Sequence, residues 1–162
     1  MGIDFHVKRE IKSDIRRIGE ILSTDIFTPE ETGRNPFFFS ALTELLILLR
    51  DLMYKSEEYA QRVAFTDDIN VTEDVKDVTD LIWFVRNAVC HVDSPNHKFQ
   101  DAVFTFNTIF GKGVMAHIGD TAMESEYEDE VCFFFGEQKI YLKRLIIRAF
   151  EEAKENLEPI LD

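Results

Sequence analysis

Within the six residues Arg86-Asn87-Ala-Val-Cys-His91 the chain places a permanent cation, an amide and an imidazole. A guanidinium presents a planar fork of N–H donors that matches phosphate oxygens and stays charged. An imidazole titrates near neutral pH and can take or give a proton. The combination suits phosphodiester chemistry that needs neither a metal nor a protein nucleophile, because an RNA 2′-hydroxyl supplies its own nucleophile. In such a site Arg86 binds the scissile phosphate and stabilises its developing charge. His91 moves protons. Without such chemistry, the same residues are a surface arginine and a histidine favoured at a helix C-terminus by the helix dipole.

These residues must be held by a helix. Thr72 is a good N-cap, and Glu73 and Asp74 suit a first helical turn. The helix then runs to about Val92, where Ser94 and Pro95 stop it. Val75, Val78, Ile82, Val85, Val89 and Val92 form its core stripe at alternating three- and four-residue spacing. The same period places Asp77, Asp80, Phe84, Asn87 and His91 opposite, with Arg86 flanking that face. Trp83 and Phe84 therefore point away from the core, which predicts a second protein surface over them. An identical chain on a two-fold axis would bring two copies of Arg86 and His91 together.

The rest of the chain surrounds this helix. A first helix is predicted from about Asp4 to Leu22, with Val7, Ile11, Ile15, Ile18 and Leu22 on one side. Thr28, Pro29, Gly33 and Pro36 mark a loop. A second helix, from about Pro36 to Ser56, is apolar nearly all round and belongs at the centre of the fold or in an interface. Its Glu44 could pair with an arginine, Arg86 among them, or face water. After Ser94 the period changes. Ala102 to Phe106, Val114 to Ile118 and Val131 to Phe135 predict a small antiparallel sheet, with a hairpin turn at Gly111-Lys-Gly113. The acidic run Glu124 to Glu130 predicts a solvated loop. A last helix follows from about Ile140 to Leu157.

A chain of 162 residues, 45% hydrophobic and 30% charged, suits one soluble domain over 1–162. Fifteen phenylalanines predict a large aromatic core or a buried interface. The net charge of -13 disfavours broad binding to nucleic acid or acidic membranes, and leaves room for a local basic site. Lys8, Arg9, Lys12, Arg16 and Arg17 could form a basic track, as could Lys139, Lys143, Arg144 and Arg148. Solvated helix faces paired with acids are the commoner outcome. Two cysteines, Cys90 and Cys132, make no disulfide framework. No signal peptide is visible, and the apolar segment Phe37 to Leu49 is too short to span a bilayer. A cytoplasmic location is expected. Cys90, His91 and His97 lack the spacing of a zinc site, so neither metal nor cofactor is expected. Cys90 reads as a small apolar filler and not as a nucleophile.

Arg86-Asn87-Ala88-Val89-Cys90-His91 resembles the R-[polar]-x-x-x-H motif of the HEPN domain superfamily, which lies near the end of a helix in a small helical bundle. Helical context extends the resemblance to about Phe37 to Val92. It implies a mainly α, HEPN-like helical bundle, here with a small antiparallel β-sheet insertion (about 99–136) before the last helix. It also implies a homodimer through the third-helix face carrying Trp83 and Phe84, with the paired motifs at the interface. By the same resemblance Arg86 and His91 are the catalytic pair, and Asn87 supports them. The implied activity is metal-independent RNA cleavage in a bacterial toxin or defence system, with an antitoxin as a possible partner. Some HEPN proteins are non-catalytic and bind a nucleotide or a protein, which is the alternative.

Overall fold

The computed structural model describes residues 3–32 and 34–161; Gly33, one of the predicted loop markers, lies outside them. The described residues form four α-helices: α1 (Phe5–Leu22), α2 (Phe38–Tyr59), α3 (Val78–Cys90) and α4 (Arg148–Leu161). Between α3 and α4 lie seven strands: β1 (Lys98–Phe99), β2 (Ala102–Val103), β3 (Thr105–Phe110), β4 (Gly113–Ile118), β5 (Thr121–Ser125), β6 (Val131–Phe135) and β7 (Gln138–Tyr141).

Asp4 caps α1, its Oδ1 accepting from the His6 N–H at 2.8 Å. Of the predicted stripe on this helix, Ile11 and Ile18 are fully buried. α2 packs against α1, α3 and α4, and so takes the central place its apolar sequence predicts. One polar cluster inside this layer was not foreseen. Lys55 of α2 is buried and bonds Asp51 at 2.6 Å and Asp14 of α1 at 3.0 Å. Burial opposes the charge on Lys55, but these two carboxylates outweigh it and raise its pKa, so the pair pins α1 to α2 as an ion pair.

The sheet overturns the expected helical bundle. The chain is about 50% helix and 19% strand, an α+β mixture with no clear bundle. The strands are not an insertion at the edge of a helical core. β6 is the middle strand of the antiparallel order β3-β6-β7, and all five of its residues are buried. A strand covered on both faces reads as a continuous apolar run, as Val131-Cys-Phe-Phe-Phe135 does. Phe133 reaches Phe27 and Phe38 on one face, at ring-centroid distances of 6.5 and 6.2 Å. Phe134 meets Phe104 at 5.7 Å. Much of the phenylalanine content thus joins helices to sheet in one core.

Three further expectations are corrected here. β3 and β4 flank Gly111 but do not form a ladder; β3 pairs with β6, and β4 with β5. The acidic run is only partly a solvated loop. Glu124 and Ser125 end β5, and Glu130 is 2% exposed. Both Glu130 carboxylate oxygens accept from the Lys143 N–H at 3.1 Å. That bond caps the start of the last helical segment, which begins with wide π-type turns over Leu142–Ile147. The predicted start at Ile140 falls instead within β7, where Ile140 pairs with Phe133.

Candidate functional site

α3 starts later than Thr72. Thr72 does accept from the Val75 N–H at 3.1 Å, but this closes a local turn. The cap is Asp77, whose Oδ1 accepts from the Asp80 N–H at 3.0 Å. Arg62 grips the same carboxylate with two bonds of 2.8 and 2.9 Å, which fixes where the helix begins.

The helix buries two faces, not one. It packs on α2 and also against β3, β7 and the turn Pro95–His97. Val78, Leu81, Ile82, Val85 and Ala88 are buried, and so is Phe84 at 6% exposure. Phe84 was expected on the outward face beside Trp83; the second packing layer covers it. Trp83 is 49% exposed and does face outward. At the other end Val92 is almost wholly exposed, because the helix has stopped at Cys90.

Trp83, Asn87 and His91 recur at four-residue spacing and line one shallow hollow of about 340 Å³, closed on its far side by Asp93 to Asn96. The half-buried Arg86 sits at its flank. Its Nη1 donates to Asn87 Oδ1 at 3.1 Å and lies 3.3 Å from His91 Nε2. An arginine can only donate, so this second contact is a hydrogen bond when Nε2 is unprotonated and the imidazole proton is on Nδ1. Such a nitrogen is a proton acceptor poised beside a fixed positive charge.

The turn after α3 holds this arrangement. The His91 N–H donates to Asn87 O at 3.1 Å, and the Ser94 N–H to His91 O at 3.0 Å. Asn96 Nδ2 donates to Phe84 O at 3.0 Å. His97 Nε2 contacts Ala88 O, one of the carbonyls left without a helical partner at a C-terminus. His97 is thereby occupied. Among the described residues no group of three or more His, Cys, Asp or Glu side chains is placed to hold a metal ion.

The hollow is electrostatically balanced. Asp93 brings one negative charge to it, against the one positive charge of Arg86. A second hollow of about 240 Å³ lies on the other side of Trp83, lined by Arg50 and Tyr54 of α2 together with Arg62 and Asp80. Tyr54 is 50% exposed, with the Arg50 guanidinium 5.4 Å from its ring centroid. Arg50 and Tyr54 were not foreseen, because spacing within α3 says nothing of which α2 residues stand beside it. Glu44 pairs with Arg17 and not with Arg86. The basic stretches are largely neutralised: Arg16 by Glu20, Lys139 by Glu126, Arg144 by Asp129, and Arg148 by Asp67 and Glu152. Cys132 is buried, and burial pushes its thiol up to about 12, so it is inert at neutral pH.

No family model, curated protein or solved structure matches the chain. No helix among the described residues is long and apolar enough to cross a membrane.

Proposed function

We propose that Arg86 and His91 form the reaction centre of a metal-independent endoribonuclease, acting in the cytoplasm in a bacterial toxin or defence system. The observation that carries this is the 3.3 Å approach of Arg86 Nη1 to His91 Nε2, beside Asn87 and open to solvent. The HEPN-like motif supports the assignment; the fold, an α+β mixture, does not contribute to it.

His91 Nε2 takes the proton of a ribose 2′-hydroxyl. The freed oxygen attacks the adjacent phosphorus while the bond to the 5′-oxygen breaks. The products carry a 2′,3′-cyclic phosphate and a 5′-hydroxyl. Arg86 turns its guanidinium to the phosphate oxygens and stabilises their growing charge. Asn87 gives its Oδ1 to Arg86, which leaves its amide N–H groups for the phosphate.

The leaving 5′-oxygen needs a proton, and the only other histidine in the turn, His97, is held by Ala88 O. A homodimer through the Trp83 face supplies what one chain lacks. It brings a second His91 as the acid, and a second Arg86 to the same phosphate. Trp83 and Tyr54 are the exposed aromatics suited to that contact; Phe84 is not part of it.

RNA cleavage in EDTA by the wild type, Arg86→Ala and His91→Ala tests this. Cleavage by the wild type alone, leaving cyclic phosphate ends, is the expected result. Equal cleavage by all three chains would place the activity elsewhere. A folded dimer that leaves varied RNAs intact would instead be a module that binds a nucleotide or a protein.

A further inference from the structure

A further cavity lies away from α3. It has a volume of about 590 Å³ and sits between the end of α1, the Gly111 turn, the acidic loop and the start of the last helical segment. That size falls within the range typical of small-molecule sites. Its walls are apolar, with Leu22, Phe27, Phe110, Leu142 and Ile147 among them. Its mouth carries Glu128 and Asp129.

The polar groups around it are unequally committed. The hydroxyls of Thr24 and Thr28 donate to Ile21 O and Asp25 O, at 2.7 and 2.8 Å. Lys143 Nζ is engaged by the Asp129 backbone oxygen, and Arg144 Nη1 holds the Asp129 carboxylate at 3.2 Å. Glu130 is buried on the Lys143 N–H. The exposed Glu128 carboxylate has no hydrogen-bond or ion-pair partner among the described residues. The mouth is also fixed. The Gly111 N–H donates to Glu130 O at 2.8 Å. Gly111 has φ +76°, and a Cβ there would meet Glu128 O at 3.3 Å.

We infer that this cavity binds a small amphipathic organic cation, a hydrocarbon or aryl body carrying an ammonium head. The body replaces water against the apolar walls. The head lies at the mouth beside the Glu128 carboxylate, whose charge attracts a cation and repels an anion. The net charge of -13 adds attraction for a cation at longer range.

Calorimetric titration of the full chain with decylammonium and with decanoate, both below micelle-forming concentrations, tests this. Decylammonium should bind one to one, roughly 1.5- to 5-fold tighter than decanoate, the span expected of exposed charge contacts. Glu128→Gln, at an exposed position, should narrow that ratio while leaving the fold intact. Ile147→Trp should fill the cavity and abolish binding of both. Absence of decylammonium binding, equal or tighter binding of decanoate, or an unchanged ratio in Glu128→Gln would overturn the inference. The RNA-cleavage experiment reads a different part of the molecule and leaves this one undecided.

Discussion

Trp83 and Phe84 are neighbours in sequence and opposites in the structure, and truncating each to alanine separates their roles. Phe84 is 6% exposed and Trp83 is 49% exposed. Removing a buried phenyl ring costs about 3–5 kcal/mol, from lost transfer energy and the cavity left behind. Against a total stability of about 5–15 kcal/mol, that is a large share. At roughly 2–4 °C per kcal/mol for a domain of this size, Phe84→Ala should lower Tm by about 6–20 °C. Trp83 already has half its surface in water, so Trp83→Ala should cost less than about 1.5 kcal/mol. Urea titrations followed by circular dichroism give both values by linear extrapolation. Runs at several protein concentrations separate folding from association, because a dimer makes apparent stability concentration-dependent. Trp83→Ala, not Phe84→Ala, should then show the weakened self-association. A Phe84→Ala chain within about 1 kcal/mol of wild type, or a Trp83→Ala chain that loses more, would refute the two-sided packing of α3.

Other changes probe what holds the site in place. Asp77→Ala removes the α3 cap and both Arg62 bonds, and should cost about 2–4 kcal/mol in the same urea assay. Asp77→Asn keeps an acceptor for the Asp80 N–H and should lose clearly less; equal losses would show that the cap contributes nothing. Glu130 gives a pH dependence. Burial raises its carboxyl above the ordinary value of 4.5, against the Lys143 N–H and Arg144. The folded chain then binds the proton more tightly than the unfolded chain. This group's contribution is therefore present below pH 4.5 and lost as pH rises through the folded value. Glu130→Gln should accordingly resist urea better than wild type at pH 7, with the difference closing below the ordinary value; a less stable variant at pH 7 would reverse the sign. Gly136 turns β6 into β7 with φ +57°, and a Cβ there would lie 2.4 Å from Asn96 O and 2.8 Å from Lys98 O. Gly136→Ala should cost more than about 2 kcal/mol, measured as a fall in Tm.

Local pattern carried some of this fold plainly and some not at all. α2 is apolar nearly all round, and it lies at the centre. The run Val131 to Phe135 reads as a strand, and it is one. Its place in the middle of the sheet is set by Phe133 pairing with both Thr108 and Ile140, and spacing within the strand does not reveal the first, 25 residues away. The same ignorance of the second layer misplaced Phe84. A helical period finds the stripe that faces one neighbour, and α3 has two. Thr72 had the right chemistry for a cap, but the Arg62 grip on Asp77 decides where the helix starts, and no local signal announces a partner 15 residues away.

The site itself was legible as residue types and as spacing, but not as geometry. In a continuous helix, residues five apart lie about 140° apart around the axis, so Arg86 and His91 would point in different directions. They meet because the helix ends at Cys90. His91 leaves the helical conformation, with φ -122° and ψ 109°, and its ring swings back to the Arg86 guanidinium. The turn that follows is tied to α3 through Asn96 on Phe84 O and His97 on Ala88 O, so the swing is held in place. Ser94 and Pro95, read from the sequence only as a stop signal, thus belong to the site. A helix that ran one turn further would keep every residue of the motif and lose the contact on which its chemistry depends.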